Sequence, residues 1–448
     1  MNKKLIAVAV ASAFGIPSLA LAQFSVPDGV AGSNASGSSV TISGKLNYIG
    51  GFYQNGAAGN GITAAGVTSV GTVGALSSFS GINNSESQVD IKGAEALGGG
   101  LSAWFQCGTS IDVLGQGAGT GTAGICGRNS AIGMKGNFGN AYIGNWDTPQ
   151  KMAMSRFTMF SQSEPLGNSL LFNGAASADS GNVALASTIS ALSQNGGGAN
   201  MWRRQSRLMT YITPIISGFQ ASVGMSADNE AAFQSVGMGV QKPRLYSFGA
   251  TYDNGPVTLG LGVETHKGYN PGVLSTTTTA GTNGGGAFTG NYSGGTDVIM
   301  NYAAKYSFGD AGFVNFIYSD IKYQVSGDLN TTLKNWTVNG QWNLGGPHAI
   351  RLGYVNVGST GGTYGAGGTS FAAKAVGQAL ANGGAGNTGA QKYQAEYVYA
   401  FSKRTELGAR YALVKNDSQA NYFIGTGGTV GGYGEKQSYT GLRLTHSF

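Results

Sequence analysis

The sequence predicts an all-β fold, a 16-stranded antiparallel transmembrane β-barrel, and three observations predict it. A period-two alternation of apolar and polar residues recurs along the chain and ends only at its last residue, Phe448. The composition is poor in charge and rich in glycine. Short turns and long loops take turns between the alternating segments.

Side chains of a strand point to opposite faces in succession, so alternation means one apolar wall and one polar wall. In Trp336–Leu344, Trp336, Val338, Trp342 and Leu344 share one parity, and Thr337, Asn339, Gln341 and Asn343 the other. Val257, Leu259, Leu261 and Val263 repeat the pattern; Ile350, Leu352 and Tyr354 do so around Arg351, and Leu407, Ala409, Tyr411 and Leu413 around Arg410. Only 10% of residues are charged, against roughly 25% in soluble domains, and there are 78 Gly to 9 Pro. That balance suits a wall facing lipid outside and water inside.

The segments run in order. Val40–Gly50 is followed by a long Gly/Ser loop and Ser85–Ala96, which turns at Leu97–Gly100 into Leu101–Ile111. Arg128–Gly136 pairs with Asn140–Asn145, and Trp202–Ile212 with Gln220–Met225. Arg244–Asp253 meets Val257–Lys267 across Asn254-Gly255-Pro256, and Thr296–Phe308 meets Phe313–Tyr323 across Gly309–Gly312. Thr331–Asn343 meets His348–Val357, Ala390–Phe401 meets Glu406–Lys415, and Lys436–Phe448 closes the chain. The tight reversals carry the Gly, Asn, Asp and Pro that such turns need. The long connections, Ser275–Gly286 among them, are low in complexity and cannot bury a core.

Residues 1–22 read as a signal peptide: Lys3 and Lys4, an apolar run from Leu5 to Leu21, and a small-x-small site at Ala20-Leu21-Ala22. The expected domain is then 23–448, one barrel with short periplasmic turns and long extracellular loops, in the outer membrane of a Gram-negative bacterium. No later run approaches the roughly 18–20 apolar residues of a spanning helix. Formal charge falls from +6 to +4 once Lys3 and Lys4 are removed, and the basic residues are scattered, which is no nucleic-acid signature. Cys107 and Cys126 flank a Gly/Thr-rich loop; a disulfide stapling one hairpin is the expectation, two free thiols the alternative. Neither a metal site nor a cofactor is expected.

The connection 146–200 is far beyond usual loop lengths. Its first half holds Met152, Met154, Phe157, Met159, Phe160, Leu166, Leu170, Leu171 and Phe172. Such residues are of no use to an exposed loop, so this connection is expected to fold back into the barrel and pack against its inner wall.

These residues resemble the trimeric Gram-negative porins of beta-proteobacterial type. Ser87–Gln106 (SQVDIKGAEALGGGLSAWFQ) is similar to the family's second hairpin, and Gly144–Pro149 (GNWDTP) to the "GRQYTP" start of its third loop. Ser402–Thr405 (SKRT) and the terminal aromatic Phe448 also match. The resemblance implies a homotrimer in outer-membrane lipid and a pore for small hydrophilic solutes and ions, narrowed by the inward-folded third loop 146–200, with loop acids facing a basic wall. Lys45 matches a pore-facing lysine, Arg204 a wall arginine, and Glu164 the loop acid of a "PEFGG" segment. Arg203 and Arg207 join the candidate basic wall, although alternation lets only one of Arg203 and Arg204 face inward. Asp147 is a candidate loop acid, or else an Asx turn before Thr148-Pro149.

Gln88 and Asn145 stand where the family has arginines, which predicts weak selectivity with a slight anion lean. Gln88, Asp90, Lys92, Asn145, Arg351, Arg410 and Arg443 are expected to face the lumen, since an arginine facing lipid at mid-depth costs about 2–4 kcal/mol. Catalysis is not expected: His266, His348 and His446 lie on different strands without an evident Ser or acid partner. The alternatives are a porin selective for a sugar or small organic acid, and a surface adhesion or structural barrel.

Overall fold

The computed structural model describes residues 38–55, 78–114, 124–160, 164–167, 171–172, 201–227, 244–267, 296–326, 329–359, 387, 389–417, 420, 422, 424 and 434–448. The signal-peptide reading of residues 1–22 and much of the connection 146–200 lie outside them.

Seventeen strand segments form one closed antiparallel sheet. They are β1 (Ser38–Asn55), β2 (Ser78–Asn84), β3 (Gln88–Gly98), β4 (Leu101–Ser110), β5 (Ser130–Gly136) and β6 (Gly139–Asp147). β7 (Arg204–Ile212), β8 (Phe219–Ser226), β9 (Arg244–Asn254), β10 (Val257–Lys267), β11 (Thr296–Ser307) and β12 (Gly312–Ser326) follow. β13 (Leu329–Gly345), β14 (His348–Val357), β15 (Ala390–Ser402), β16 (Thr405–Asn416) and β17 (Lys436–Ser447) complete the ring. β2 and β3 both pair with β1 and form one stave, so the barrel has sixteen.

That stave is broken for a local reason. Lys45 faces Gln88 and Tyr48 faces Asn84, leaving Leu46 and Asn47 opposite Ser85, Glu86 and Ser87. One extra residue is a β-bulge, with Glu86 at φ 60°, and a bulge re-aims its side chains. Ser85 and Ser87 are both buried.

Alternation holds round the wall. On β16, Glu406, Arg410, Ala412 and Val414 are buried while Ala409 and Tyr411 are exposed; on β17, Arg443 is buried between exposed Leu442 and Leu444. The outward row Trp342, Leu344, Leu352 and Tyr411 is exposed, as the sequence predicts. β1 and β17 pair along Lys45–Asn55, and the seam ends where Gly44 and Phe448 exchange backbone hydrogen bonds of 2.9 and 3.0 Å.

Several boundaries differ from the sequence reading. β1 runs on to Asn55 and its partner stave starts at Ser78, so the first Gly/Ser loop is shorter than expected. β12 and β13 reach Ser326 and Leu329, leaving 327–328 between them. Arg128, Asn129 and Trp202 fall outside the strands.

Candidate functional site

Past β6 the chain forms a short helix, α1 (Pro149–Ser155), with proline in its first turn, where its missing N–H costs nothing. α1 lies against β8, β9 and β10 on their inner face. The seat is made of glycine: a Cβ on Gly249 would stand 2.2 Å from the Pro149 carbonyl oxygen, and one on Gly260 2.4 Å from the Phe157 ring. Met152, Ala153, Met154 and Phe157 are buried there. Below the helix, Arg156 forks onto Asp253 at 2.8 and 2.9 Å, close to a short-turn end of the barrel.

The segment then reaches the far wall. β9 and β10 are the eighth and ninth staves, β16 and β1 the fifteenth and first, half the ring away. There Glu164 meets Arg410 at 2.6 Å, each side chain 2% exposed. Asn47 Nδ2 and Ser85 Oγ donate to the other Glu164 oxygen at 2.7 and 3.1 Å, so the bulge supplies one of its partners. Lys392 Nζ donates to the Gly167 carbonyl at 2.6 Å, Gln394 to the Leu166 carbonyl, and Asn335 to the Leu171 carbonyl at 2.9 Å. Phe172 stacks on Trp202 with ring centroids 4.0 Å apart.

Arg410 belongs to a larger network. Arg351, Glu396 and Arg410 stand in one cross-strand row on β14, β15 and β16. Glu396 accepts from Arg410 Nε at 2.7 Å, Arg443 Nε at 2.8 Å and Arg351 Nη1 at 3.1 Å. Glu406 accepts from Arg443 at 2.9 Å and Arg351 at 3.4 Å. Gln341 Oε1 takes Arg351 Nε at 2.8 Å, and Thr445 takes Arg443 Nη1 at 2.6 Å and donates to Asn47 at 2.7 Å. Three arginines thus face Glu164, Glu396 and Glu406, and the formal charges cancel. Buried charge persists only when paired and hydrogen-bonded in this way.

Arg351, Arg410 and Arg443 are brought together, and Glu164 faces Arg410, on the wall opposite α1. Arg204 lies elsewhere, at the rim where β6 ends and β7 begins. There Asp147 binds Lys151 at 2.7 Å, Arg204 at 3.8 Å and Asn129 at 3.0 Å, instead of making an Asx turn. Arg203 is buried, and Arg207, at φ 54°, is exposed on the parity of Met209 and Tyr211. Asn145 differs from the expectation as well. It stands opposite the β7 bulge at Ser206–Arg207, on the parity of exposed Ile143, and donates to the Gly127 and Arg128 carbonyls at 3.1 Å each. Gln88 donates to Asp90 at 2.9 Å; Lys92 shares their parity, and Lys45 shares that of Asn47.

Glu396, Glu406, Lys392 and Gln394 were missed by the sequence reading, although parity could have found them: each is inward between outward Tyr393, Tyr397, Leu407 and Tyr411. The histidines have partners it did not identify. His266 is buried against Glu264 at 2.8 Å, His348 meets the Tyr397 hydroxyl at 2.5 Å and His446 meets Thr405 at 2.9 Å. Cys107 and Cys126 form a disulfide. Among the described residues no group of three or more His, Cys, Asp or Glu side chains could hold a metal ion.

The Gram-negative porin family model matches residues 7–419. The outer membrane porin protein 32 of Delftia acidovorans is 25% identical over 452 residues, covering 100% of both chains. Among solved structures, an anion-selective porin from Comamonas acidovorans matches with a TM-score of 0.62 at 21% identity, over 92% of this chain and 100% of that one. OmpT of Vibrio cholerae matches with a TM-score of 0.57 at 12% identity, over 92% and 99%. The two structural likenesses show the fold. The family match spans most of the chain, and with it the chain belongs to the Gram-negative porins, channel proteins of the outer membrane.

Proposed function

We propose that this porin is a passive, weakly selective pore for small hydrophilic solutes and ions, narrowed by its third loop. The observation that carries the reading is the Glu164–Arg410 contact, half a ring away from the glycine seat of α1. A loop fastened to both walls divides the cross-section open to water. Acids and bases at that level order water and dipolar solutes through a field focused by low-dielectric walls. Weak selectivity follows from the cancelled charges of the arginine cluster. For that reason the anion selectivity named for the Comamonas porin is not carried over to this chain. Of the candidate basic wall, Lys45 stays on the pore side, while Arg203, Arg204 and Arg207 act near the rim.

The mature protein is 23–448 after loss of residues 1–22, set in outer-membrane lipid by its exposed apolar face. A homotrimer is the proposed assembly; an OmpT structure of Vibrio cholerae is described as a trimer form.

The test is reversal potential and single-channel conductance of refolded protein in a planar bilayer under a KCl gradient. Glu164→Gln breaks the charged latch, and a changed conductance with modest selectivity is the expected result. Conductance identical to the parent in both Glu164→Gln and Arg410→Ala would overturn the constriction.

A further inference from the structure

The two ends of the third loop are held by a residue of the preceding connection. Asp147, the last residue of β6, and Arg204, the first of β7, are cross-strand partners where the loop leaves and rejoins the wall. Asn129 touches both. Its Oδ1 accepts from Arg204 Nε at 2.6 Å and from the Asp147 backbone N–H at 3.2 Å, and its Nδ2 donates to Asp147 Oδ2 at 3.0 Å. Asn145 adds two bonds to the carbonyls of Gly127 and Arg128. One amide side chain therefore uses donor and acceptor to tie the departing strand to the returning one.

Asn129 is itself held from the other side. The β4–β5 ladder stops at Gln106 and Ala131, and the Cys107–Cys126 disulfide begins at the next residue of β4. Cys126 N donates to Thr109 Oγ1 at 3.1 Å, Arg128 N to the Gly108 carbonyl at 2.9 Å, and Gln106 Nε2 to the Asn129 carbonyl at 2.9 Å. Cys126 holds φ 63°, a left-handed conformation uncommon for a residue other than glycine, which persists where surrounding structure over-determines it. The covalent link takes over where the ladder ends, and segment 124–129 passes that restraint to the loop root.

We infer that Asn129 is a positioning residue for the third loop and that the Cys107–Cys126 disulfide holds it in register. The inference rests on the third loop being the constriction. Reduction by a dithiol transfers two electrons and two protons: the S–S bond breaks, two protein thiols form, and the reductant closes to its cyclic disulfide. Segment 124–129 then loses its covalent tie to β4, and the loop root loosens.

The experiment records single-channel conductance, open-channel noise and reversal potential for the refolded protein before and after dithiothreitol. Asn129→Ala with the disulfide intact and the double variant Cys107→Ser/Cys126→Ser are recorded alongside. The expected result is raised noise and a shifted mean conductance in all three, with no further shift when Asn129→Ala is reduced, since both changes act on one contact. A reduced protein that loses thermal stability but keeps conductance, noise and reversal potential would make the disulfide a plain loop staple and overturn the inference. A variant lacking residues 160–172 separates the two readings. If that deletion leaves conductance unchanged, the constriction fails; if it alters conductance while reduction and Asn129→Ala do not, only the clamp fails. Heat-dependent gel mobility shows which variants have folded barrels.

Discussion

Replacing Glu396 by Gln removes one negative charge from a network whose formal charges cancel, at the carboxylate that three arginines share. Glutamine keeps the volume and one acceptor oxygen, so the geometry is largely retained while one positive charge is left uncompensated. A monovalent ion passing at about 6 Å in a water-like dielectric then feels about 0.7 kcal/mol, attractive for chloride and repulsive for potassium. The difference of about 1.4 kcal/mol raises the chloride-to-potassium permeability ratio about tenfold. With a Debye length of about 10 Å at 0.1 M salt, screening leaves roughly fourfold, and at 1 M, where the length is about 3 Å, little remains. The assay is the reversal potential of Glu396→Gln and parent channels under KCl gradients centred at low and at high salt. An unchanged reversal potential at low salt, or a shift that persists at 1 M, would refute the argument that charge cancellation sets the selectivity.

Two other substitutions test the loop's anchors. Gly249→Val places a side chain against the Pro149 carbonyl; overpacking of about 1–3 kcal/mol is expected to lift α1 from the wall. Its readout is a lowered unfolding temperature together with altered conductance, and a parent-like channel would show that the seat is not needed. Lys392→Met keeps the stem and removes the amine donor to the Gly167 carbonyl, with an expected loss of about 0.5–1.5 kcal/mol. Denaturant unfolding checks it, and an equal midpoint would mean that the bond contributes nothing net.

Much of the wall was legible because strand parity is a local property. The lumen position of Arg410 could be read from Leu407, Ala409, Tyr411 and Leu413 alone, and lipid makes the opposite placement costly. The partner of Glu164 could not be read that way. It depends on the path of a loop that descends β9 and β10 and lands half a ring away, so Arg410 takes the place expected for Arg204. Pairing of Arg351 with Glu396 depends on cross-strand register, and β14 and β15 are joined by the long connection 358–389, so no tight turn announces it. The bulges at Ser85–Ser87 and at Ser206–Arg207 shift parity by one and defeat simple counting. His266 and Glu264 stand two apart on one face of β10, so their pairing was open to inspection of the strand's parity.

The seam between Gly44 and Phe448 has a consequence for biogenesis. Thr445 bonds to Asn47 across 398 residues of chain, so the ring is shut by contacts of nearly maximal sequence separation. Contacts of that kind form slowly. Until the C-terminal stave exists, any partial sheet carries two unpaired edges, each a template for pairing with another chain. Synthesis and closure therefore run in conflict: the outer edge of the first stave must be kept from pairing with another chain until the last stave has been delivered.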